Sequence, residues 1–238
     1  MPNEQTIIPK QTEDINKHFS EKSYGCYGAY NRFVKRVIDL VLAVIFFVIL
    51  FVFYILIGAA IAIESGFPVL YKPQRGGYNN KPFKIFKFRT MVKNADKIGG
   101  GTTALNDPRI TKVGNFLRKT KLDETPQLLN ILNGTMSFIG PRPELLRYTS
   151  AYSGEEELIH KVRPGITDYS SIEFINLDEI VGTENADEMY EKYVLKKKNA
   201  LRIKYAKTVS LKTDVMLFFK TVFGVIKKAL NVIFGRRK

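Results

Sequence analysis

Two adjacent carboxylates, Asp123 and Glu124, are the residues of this sequence best suited to do chemistry. They lie in the run RKTKLDETPQLLN, where Pro126 predicts that a helix begins directly after them. A helix N-terminus offers unpaired N–H groups and the positive end of the helix dipole, which together attract phosphate. A carboxylate there tends to stay ionised, so it can serve as a nucleophile or as a metal ligand. Three basic residues that could neutralise a diphosphate precede the pair: Arg118, Lys119 and Lys121.

The dipeptide alone does not identify an enzyme. Asp178-Glu179 and Asp187-Glu188 occur in the same chain, where we interpret them as solvated helix or loop charges. The dipeptide alone favours Asp123 as a structural residue at the start of a helix. The surrounding sequence has to decide between the structural and the catalytic interpretation.

Composition limits the metal chemistry that the chain can support. There is one cysteine, Cys26, so no intramolecular disulfide can form, and the two histidines, His18 and His160, lie far apart. A zinc site of the usual cysteine and histidine type is therefore not expected. Carboxylates should hold any metal, with Asp123 and Glu124 as the predicted ligands. Mg²⁺ is the expected ion and Mn²⁺ the alternative.

The chain is strongly basic, with 37 Lys and Arg against 23 Asp and Glu. This excess favours a polyanionic partner: nucleic acid, an anionic membrane surface or a phosphorylated substrate. Thirteen of the basic residues lie in 196–238 with a single acid, Asp214, so the excess is concentrated near the C-terminus. Nucleic acid is not an expected partner, because a carboxylate pair amid cations weakens anion capture and no aromatic and basic interleaving occurs.

One long apolar segment precedes the carboxylate pair. Leu40 to Ile63 reads LVLAVIFFVILFVFYILIGAAIAI, without a charge. As a helix it would be about 36 Å long, against a hydrocarbon core of roughly 30 Å. A crossing helix normally has more basic residues on one flank, but here both flanks are basic. A spanning helix and a segment that enters the membrane and turns back both remain open.

The rest of the chain predicts helices and few strands. Short strands are expected around 69–71 and 83–88, joined by the turn-rich QRGGYNNKP, and over 136–139. Without an alternating strand–helix rhythm, a Rossmann fold is not expected. The predicted class is α+β, mostly helical. Apolar residues at helical spacing over 211–233, interrupted by lysines, predict a basic amphipathic helix for an anionic membrane interface or for the protein's own core.

Longer motifs decide between the structural and the catalytic interpretation of the carboxylate pair. KRVIDLVLA leads into the apolar segment, and QRGG and FKIFKFRTM follow it. Next come DPRITKVGNFLRKTKLDETPQLLNILNGTMSFIGPRP and HKVRPGIT. In this order the motifs resemble those of the bacterial sugar transferases, the monotopic phosphoglycosyl transferases. The resemblance extends from about Arg32 to Lys228.

The resemblance implies a phosphosugar transfer. In such enzymes the Asp of the Leu-Asp-Glu motif, here Asp123, attacks the sugar-bearing phosphorus of a UDP-sugar, so that UMP leaves and an aspartyl phosphosugar remains. Polyprenyl (undecaprenyl) phosphate then accepts the phosphosugar. Glu124 would assist as a partner in the Mg²⁺ site or by handling the acceptor's proton. Six cations in the shared motifs are the candidate phosphate and nucleotide-sugar ligands: Lys87, Arg89, Arg109, Arg118, Arg142 and Arg163.

The resemblance also implies a place for the enzyme. The apolar segment would be a re-entrant helix-break-helix among membrane lipids, with the active site on the cytoplasmic face of the bacterial inner membrane. Two features depart from the family pattern: the mid-segment Ser-Pro pair is missing from residues 50–54, and a Gly-Trp-Ala-Gln type run after Pro-Gly-Ile-Thr is replaced by DYSSIE at 168–173. The donor sugar and a homodimer are left open.

The predicted organisation has four parts. These are a flexible polar leader over 1–30, a membrane-inserted helix over 31–66, a catalytic domain over 67–209 and a basic interface helix and tail over 210–238. The competing hypothesis is a membrane-tethered basic scaffold or binding protein without catalytic activity, including a former enzyme. The intact Leu-Asp-Glu and Pro-Arg-Pro motifs favour the enzyme.

Overall fold

The computed structural model describes residues 23–95, 107–175, 177, 180 and 185–233. Over these residues the protein is mostly helical with three two-stranded sheets, as predicted for the class. The predicted leader is wrong at its C-terminal end, because Tyr24 and Cys26 are buried in a core cluster with Tyr205 and Val209. Residues 1–22 of that leader lie outside the described residues.

Helix α1, Lys35–Ser65, is the longest element and follows a single π-helical turn at Tyr30–Val34. Its 31 residues extend about 46 Å. By length and composition alone, it could cross a membrane. The helix is continuous, so the break that the family resemblance implied is wrong. The physical reason is that no proline interrupts the residues of α1.

One face of α1 packs on the rest of the protein along its whole length. At its start, Lys35 Nζ lies 2.5 Å from a carboxylate oxygen of Asp214. Further along, the Tyr54 hydroxyl donates to the Thr125 carbonyl at 2.9 Å. At its end, the Glu64 carboxylate accepts the first backbone N–H groups of the next helix, at 2.8 and 3.1 Å. Both ends of α1 therefore contact the same domain.

The opposite face of α1 is exposed and apolar. Large apolar side chains from Val37 to Ile63 are exposed along it, with Val48 and Phe51 near the middle. Helix α8, Leu211–Ile233, is also amphipathic: it buries Leu217 and exposes other large apolar residues. A soluble protein rarely leaves so extensive an apolar surface in water.

Four short strands follow α1 as an interrupted hairpin. They are β1 Leu70–Tyr71, β2 Gln74–Arg75, β3 Phe83–Lys84 and β4 Lys87–Phe88. β1 pairs with β4 and β2 with β3, both antiparallel, which confirms the two strand regions predicted around the QRGG motif. Because side chains alternate along β4, Phe88 enters the core while Lys87 faces the opposite side.

The remaining elements follow in chain order. They are α2 Lys112–Thr120, α3 Leu128–Leu132, β5 Ser137–Ile139, α4 Leu146–Thr149, β6 Gly165–Thr167, α5 Tyr169–Glu173, α6 Ala186–Tyr190, α7 Lys196–Thr208 and α8 Leu211–Ile233. The predicted strand over 136–139 is confirmed as β5. It pairs in parallel with β6, a strand–helix–strand unit that was not predicted. Strands of three residues carry too little periodicity to be recognised in a sequence.

Two glycines allow the Pro-Arg-Pro and Pro-Gly-Ile-Thr motifs to meet. A Cβ atom on Gly165 would lie 2.1 Å from the backbone nitrogen of Gly140, so neither position has room for a side chain. This approach places Arg142, just after β5, beside the residues of β6. The motif that follows β5 and the motif that forms β6 thus build one wall of a cavity.

Candidate active site

A 3₁₀ turn positions the carboxylate pair. Helix α2 ends at Lys121, whose φ of 62° reverses the chain, and the turn Leu122–Gln127 follows. Asp123 and Glu124 are in its first residues, so they lie in a tight turn before α3, and not in the first turn of an α-helix that begins at Pro126. The turn packs against β4, which brings Lys87 to Glu124.

Glu124 is held by two cations. Lys87 Nζ lies 3.1 Å from Glu124 Oε1, and Arg142 Nη2 donates to the same oxygen. Arg142 is oriented by two further bonds: its Nη1 donates to the Ile166 carbonyl at 3.0 Å, and its backbone N–H to Asp168 at 3.4 Å. Burial raises the pKa of Glu124, but Arg142 and Lys87 outweigh it and hold the pKa well below its usual range. Glu124 therefore stays ionised.

Asp123 has a different environment. Its side chain is buried and its Oδ1 atom has no hydrogen-bond partner within the described residues. Burial and the neighbouring charge of Glu124 raise the pKa of Asp123, against the opposing effect of Lys87, Lys121 and Arg118. The sequence suggested that both carboxylates are held ionised by a helix dipole. For Asp123 the structure shows no such effect of a helix dipole: the residue lies in a 3₁₀ turn, and desolvation raises its pKa instead of lowering it.

Three further predicted cations line the same cavity, but two of them are engaged elsewhere. Arg118 lies within reach of the Thr90 hydroxyl at 3.4 Å and borders the carboxylate pair. Arg109 forms an ion pair with Asp107 at 2.6 Å. The Nη2 atom of Arg89 donates hydrogen bonds to the carbonyl and the hydroxyl of Ser65 at the C-terminal end of α1, both at 2.9 Å. The Nε and Nη1 atoms of Arg89 are buried without a partner among the described residues.

Arg163 is not brought to this site. Its Nε donates to the Gly134 carbonyl at 3.1 Å, and its guanidinium stacks over Tyr78 at 5.1 Å from the ring centroid. It does not line the cavity that holds the carboxylates. The Arg163 guanidinium thus provides a hydrogen-bond donor for a backbone carbonyl just after α3, where Gly134 has a φ of 85°. The structure therefore does not bring Arg163 together with the other predicted phosphate ligands, and its role as such a ligand stays a prediction.

The cavity itself has a volume of about 1840 Å³ and joins the carboxylate pair to a second polar group. Sequence reasoning missed that group: Glu144, Arg202, Lys198 and Arg75. Glu144 directly follows the Pro-Arg-Pro motif, which could have drawn attention to it. Lys198 and Arg202 are four residues apart and share one face of α7, but among so many C-terminal cations this spacing carries no signal.

Asp168 was noted only as a departure from the family pattern. It is fully buried, accepts hydrogen bonds from Ser170 and Ser171 at the start of α5, and accepts the Arg142 backbone N–H. Its carboxylate thus caps a helix and fixes the residue that contacts Glu124.

The donor set is compatible with a magnesium ion that the substrate helps to bind. Among the described residues, no group of three or more His, Cys, Asp or Glu side chains could hold a metal on its own. Mg²⁺ commonly uses one or two protein carboxylates and completes its shell with substrate phosphates and water. The unpartnered Asp123 Oδ1 and the adjacent Glu124 carboxylate provide two such ligands.

Comparison with known proteins agrees with this site. The sequence profile described as "Bacterial sugar transferase" matches residues 30–228, so the chain belongs to the bacterial sugar transferase family. The match includes α1, the carboxylate pair, both walls of the cavity and most of α8.

Individual relatives carry more specific names. The chain is 38% identical over 204 residues to a UDP-glucose:undecaprenyl-phosphate glucose-1-phosphate transferase of Escherichia coli (strain K12), covering 84% of this chain and 42% of the relative. It is 33% identical over 203 residues to a UDP-N-acetylgalactosamine-undecaprenyl-phosphate N-acetylgalactosaminephosphotransferase of Aeromonas hydrophila, covering 82% and 44%. A Bacillus subtilis (strain 168) relative, the uncharacterized sugar transferase EpsL, is 38% identical over 139 residues, covering 58% and 68%. The chain thus spans less than half the length of the first two.

Proposed function

We propose that the protein transfers a sugar 1-phosphate from a UDP-sugar to undecaprenyl phosphate, with UMP as the first product. One observation carries this proposal: a buried carboxylate with a free oxygen, Asp123, adjoins an ionised Glu124 that two cations hold in a basic cavity. The names of the relatives support the reaction class. They include both glucose and N-acetylgalactosamine donors, so they do not select the sugar.

In the first half-reaction Asp123 is the nucleophile. A carboxylate oxygen forms a bond to the sugar-bearing phosphorus, the bond from that phosphorus to the bridging oxygen breaks, and its electron pair leaves with UMP. Desolvation in the cavity makes the ionised carboxylate more reactive, which agrees with the raised pKa of Asp123. Lys87, Arg118 and Arg142 lie where they can offset the negative charge of the phosphates.

In the second half-reaction a phosphate oxygen of the acceptor attacks the same phosphorus. The bond to Asp123 breaks, and its electron pair returns to the carboxylate. Of the two roles that the family resemblance implied for Glu124, proton transfer is the weaker, because Arg142 and Lys87 hold its pKa well below its usual range. Glu124 suits the role of a fixed anion that positions Lys87 and Arg142.

Mg²⁺ fits this reaction as a cofactor. Asp123 and Glu124 would hold it together with phosphate oxygens of the donor. When bound, it would offset the charge that develops on the phosphates during transfer.

The exposed apolar faces of α1 and α8 support a membrane interface as the working environment. A crossing helix places its two ends on opposite sides of roughly 30 Å of hydrocarbon. The ends of α1 instead contact one domain, through Lys35 and Glu64. We therefore favour insertion from one side, with the active site on the cytoplasmic face of the bacterial inner membrane, where a soluble donor can meet a lipid acceptor.

The decisive experiment is UMP release from a panel of UDP-sugars that includes UDP-glucose and UDP-N-acetylgalactosamine. The native protein and Asp123→Asn are compared in detergent with Mg²⁺ and undecaprenyl phosphate. Repeated turnover that depends on the lipid, together with loss of UMP release in the variant, supports the proposal and identifies the donor. Equal release by both proteins removes Asp123 from the chemistry. If no donor is turned over although UDP-sugars bind, the non-catalytic scaffold hypothesis replaces the enzyme.

A further inference from the structure

Lys198 is a buried cation on the wall of the catalytic cavity. Its residue is 6% exposed, and its ammonium nitrogen lies 4.9 Å from the ring centroid of Tyr190 and 5.8 Å from that of Phe174. In the part of the chain that the structure describes, this nitrogen makes no ion pair or hydrogen bond. Burying a cation in this way is unfavourable unless something in the cavity compensates its charge.

The nearby Glu144 carboxylate attracts this charge but accepts no hydrogen bond from Lys198, because both of its oxygens are already occupied. Arg202, which is 1% exposed, donates to Glu144 Oε2 at 2.8 Å, and the Tyr190 hydroxyl donates to the same oxygen. The other oxygen of Glu144 accepts the Leu145 backbone N–H at 3.2 Å. The Arg202–Glu144 pair is therefore neutral, and Lys198 stands beside it as the excess positive charge.

Lys198 lines the same cavity as Arg142 and the carboxylate pair, and Arg142 links them electrostatically. The charge of Arg142 acts both on Glu124 and on Lys198. Arg75 belongs to the same neighbourhood, since its pKa is lowered by burial and by Arg142 and is raised by Glu144. Arg142 thus has the catalytic carboxylates near its guanidinium and two further cations, Arg75 and Lys198, within electrostatic range.

We propose that Lys198 and Arg75 form the subsite for the phosphate of the leaving nucleoside monophosphate. This rests on the proposed function. When the bond to the bridging oxygen breaks, the electron pair stays on the departing phosphate, which gains one negative charge without taking a proton. Lys87 is already paired with Glu124 near the phosphorus under attack. The departing phosphate, one bridging oxygen further on, requires cations whose hydrogen-bond donors no protein carboxylate occupies, and Lys198 is such a cation.

The test measures the first half-reaction and product inhibition by UMP in the full chain in detergent. Lys198→Met is compared with Lys196→Met, a matched control because Lys196 is an exposed lysine on the same helix. We expect Lys198→Met to weaken UMP inhibition and to slow formation of the phosphosugar intermediate, each roughly 10- to 100-fold, as for loss of a charged hydrogen bond. Transfer from the preformed intermediate to undecaprenyl phosphate should change much less, since UMP has already left. Lys198→Arg should restore most of the UMP inhibition.

Three results separate the possible failures. Native UMP inhibition and native intermediate formation in a folded Lys198→Met protein would overturn the subsite. If Lys198→Met does not fold, Arg75→Gln takes its place, and native UMP inhibition in that variant would overturn the subsite as well. If the native protein releases UMP from no donor, the proposed function itself has failed.

Discussion

Replacing Arg202 by Met should destabilise the protein more than any substitution of a surface cation. Arg202 is 1% exposed and donates to Glu144 at 2.8 Å and to Asn199 at 2.8 Å. Met preserves most of the side-chain volume but leaves the Glu144 carboxylate, whose side chain is 13% exposed, with only the Tyr190 hydroxyl and a backbone N–H. Breaking a buried ion pair from one side costs about 3–5 kcal/mol.

We expect the lower end of that range, about 3 kcal/mol, because Glu144 borders the cavity and regains some hydration. For a chain of this size, that corresponds to a fall of roughly 6–12 °C in the unfolding midpoint. The chain contains no tryptophan, so unfolding is best followed by far-ultraviolet circular dichroism in detergent, in urea and on heating. Arg147→Met is the matched control, because the Arg147 side chain is 49% exposed and that of its partner Asp187 is 29% exposed, so loss of this pair should cost no more than about 1 kcal/mol.

A double-mutant cycle completes this test. Glu144→Gln alone should also be strongly destabilising, since it leaves Arg202 buried with an unpaired charge. The double variant Arg202→Met/Glu144→Gln should be more stable than the sum of the two single effects predicts, by roughly 1–3 kcal/mol. A loss below about 1 kcal/mol for Arg202→Met, or strictly additive effects, would refute the reasoning that this pair is desolvated and mutually dependent.

Four further outcomes are expected. Asp123→Asn should form no phosphosugar–enzyme adduct detectable by mass spectrometry, and it should raise the free energy of unfolding by about 1 kcal/mol, since it removes a disfavoured buried charge; a less stable variant contradicts this. In native protein kcat/KM should fall on the acid side as Asp123 becomes protonated, at a pH above the ordinary 3.8, because burial and Glu124 raise this pKa; a limb at or below 3.8 in the pH profile excludes that assignment. Arg142→Lys should lower kcat/KM about 100-fold, as for a lost transition-state donor, whereas Arg163→Lys should leave kcat/KM near the native value. If steady-state assays instead show the large loss for Arg163→Lys and none for Arg142→Lys, the site has been assigned to the wrong cavity. Val48→Gln, on the exposed face of α1, should weaken partitioning into anionic vesicles roughly tenfold in a flotation assay with unchanged circular dichroism; undiminished partitioning argues against that face as the membrane contact.

The residues of the site could be predicted only where a motif carries them. Asp123, Glu124, Lys87 and Arg142 lie in contiguous motifs, and the structure brings all four together. Arg163 lies in an equally specific motif but points to the end of α3, because a motif indicates which residue type is required and not the direction of its side chain.

Long-range pairing could not be predicted. Glu144 and Arg202 are 58 residues apart, and nothing in either local sequence indicates that one neutralises the other. The pairing of β5 with β6 is hidden for a similar reason, since each strand has three residues and its partner is defined by the close approach of Gly140 and Gly165. The class, the long apolar helix and the hairpin could be predicted because propensity, turn residues and hydrophobic periodicity are local properties.

The way α1 is anchored has a practical consequence for handling the protein. Ala43 and Ile61 of α1 belong to two separate core clusters, and Tyr54 donates to the carbonyl of Thr125, two residues from Asp123. Deleting the helix to obtain a water-soluble protein would therefore remove part of the core and part of the support of the turn that carries Asp123. A detergent-free form is better sought by keeping the backbone of α1 and replacing the side chains of its outer face with polar ones.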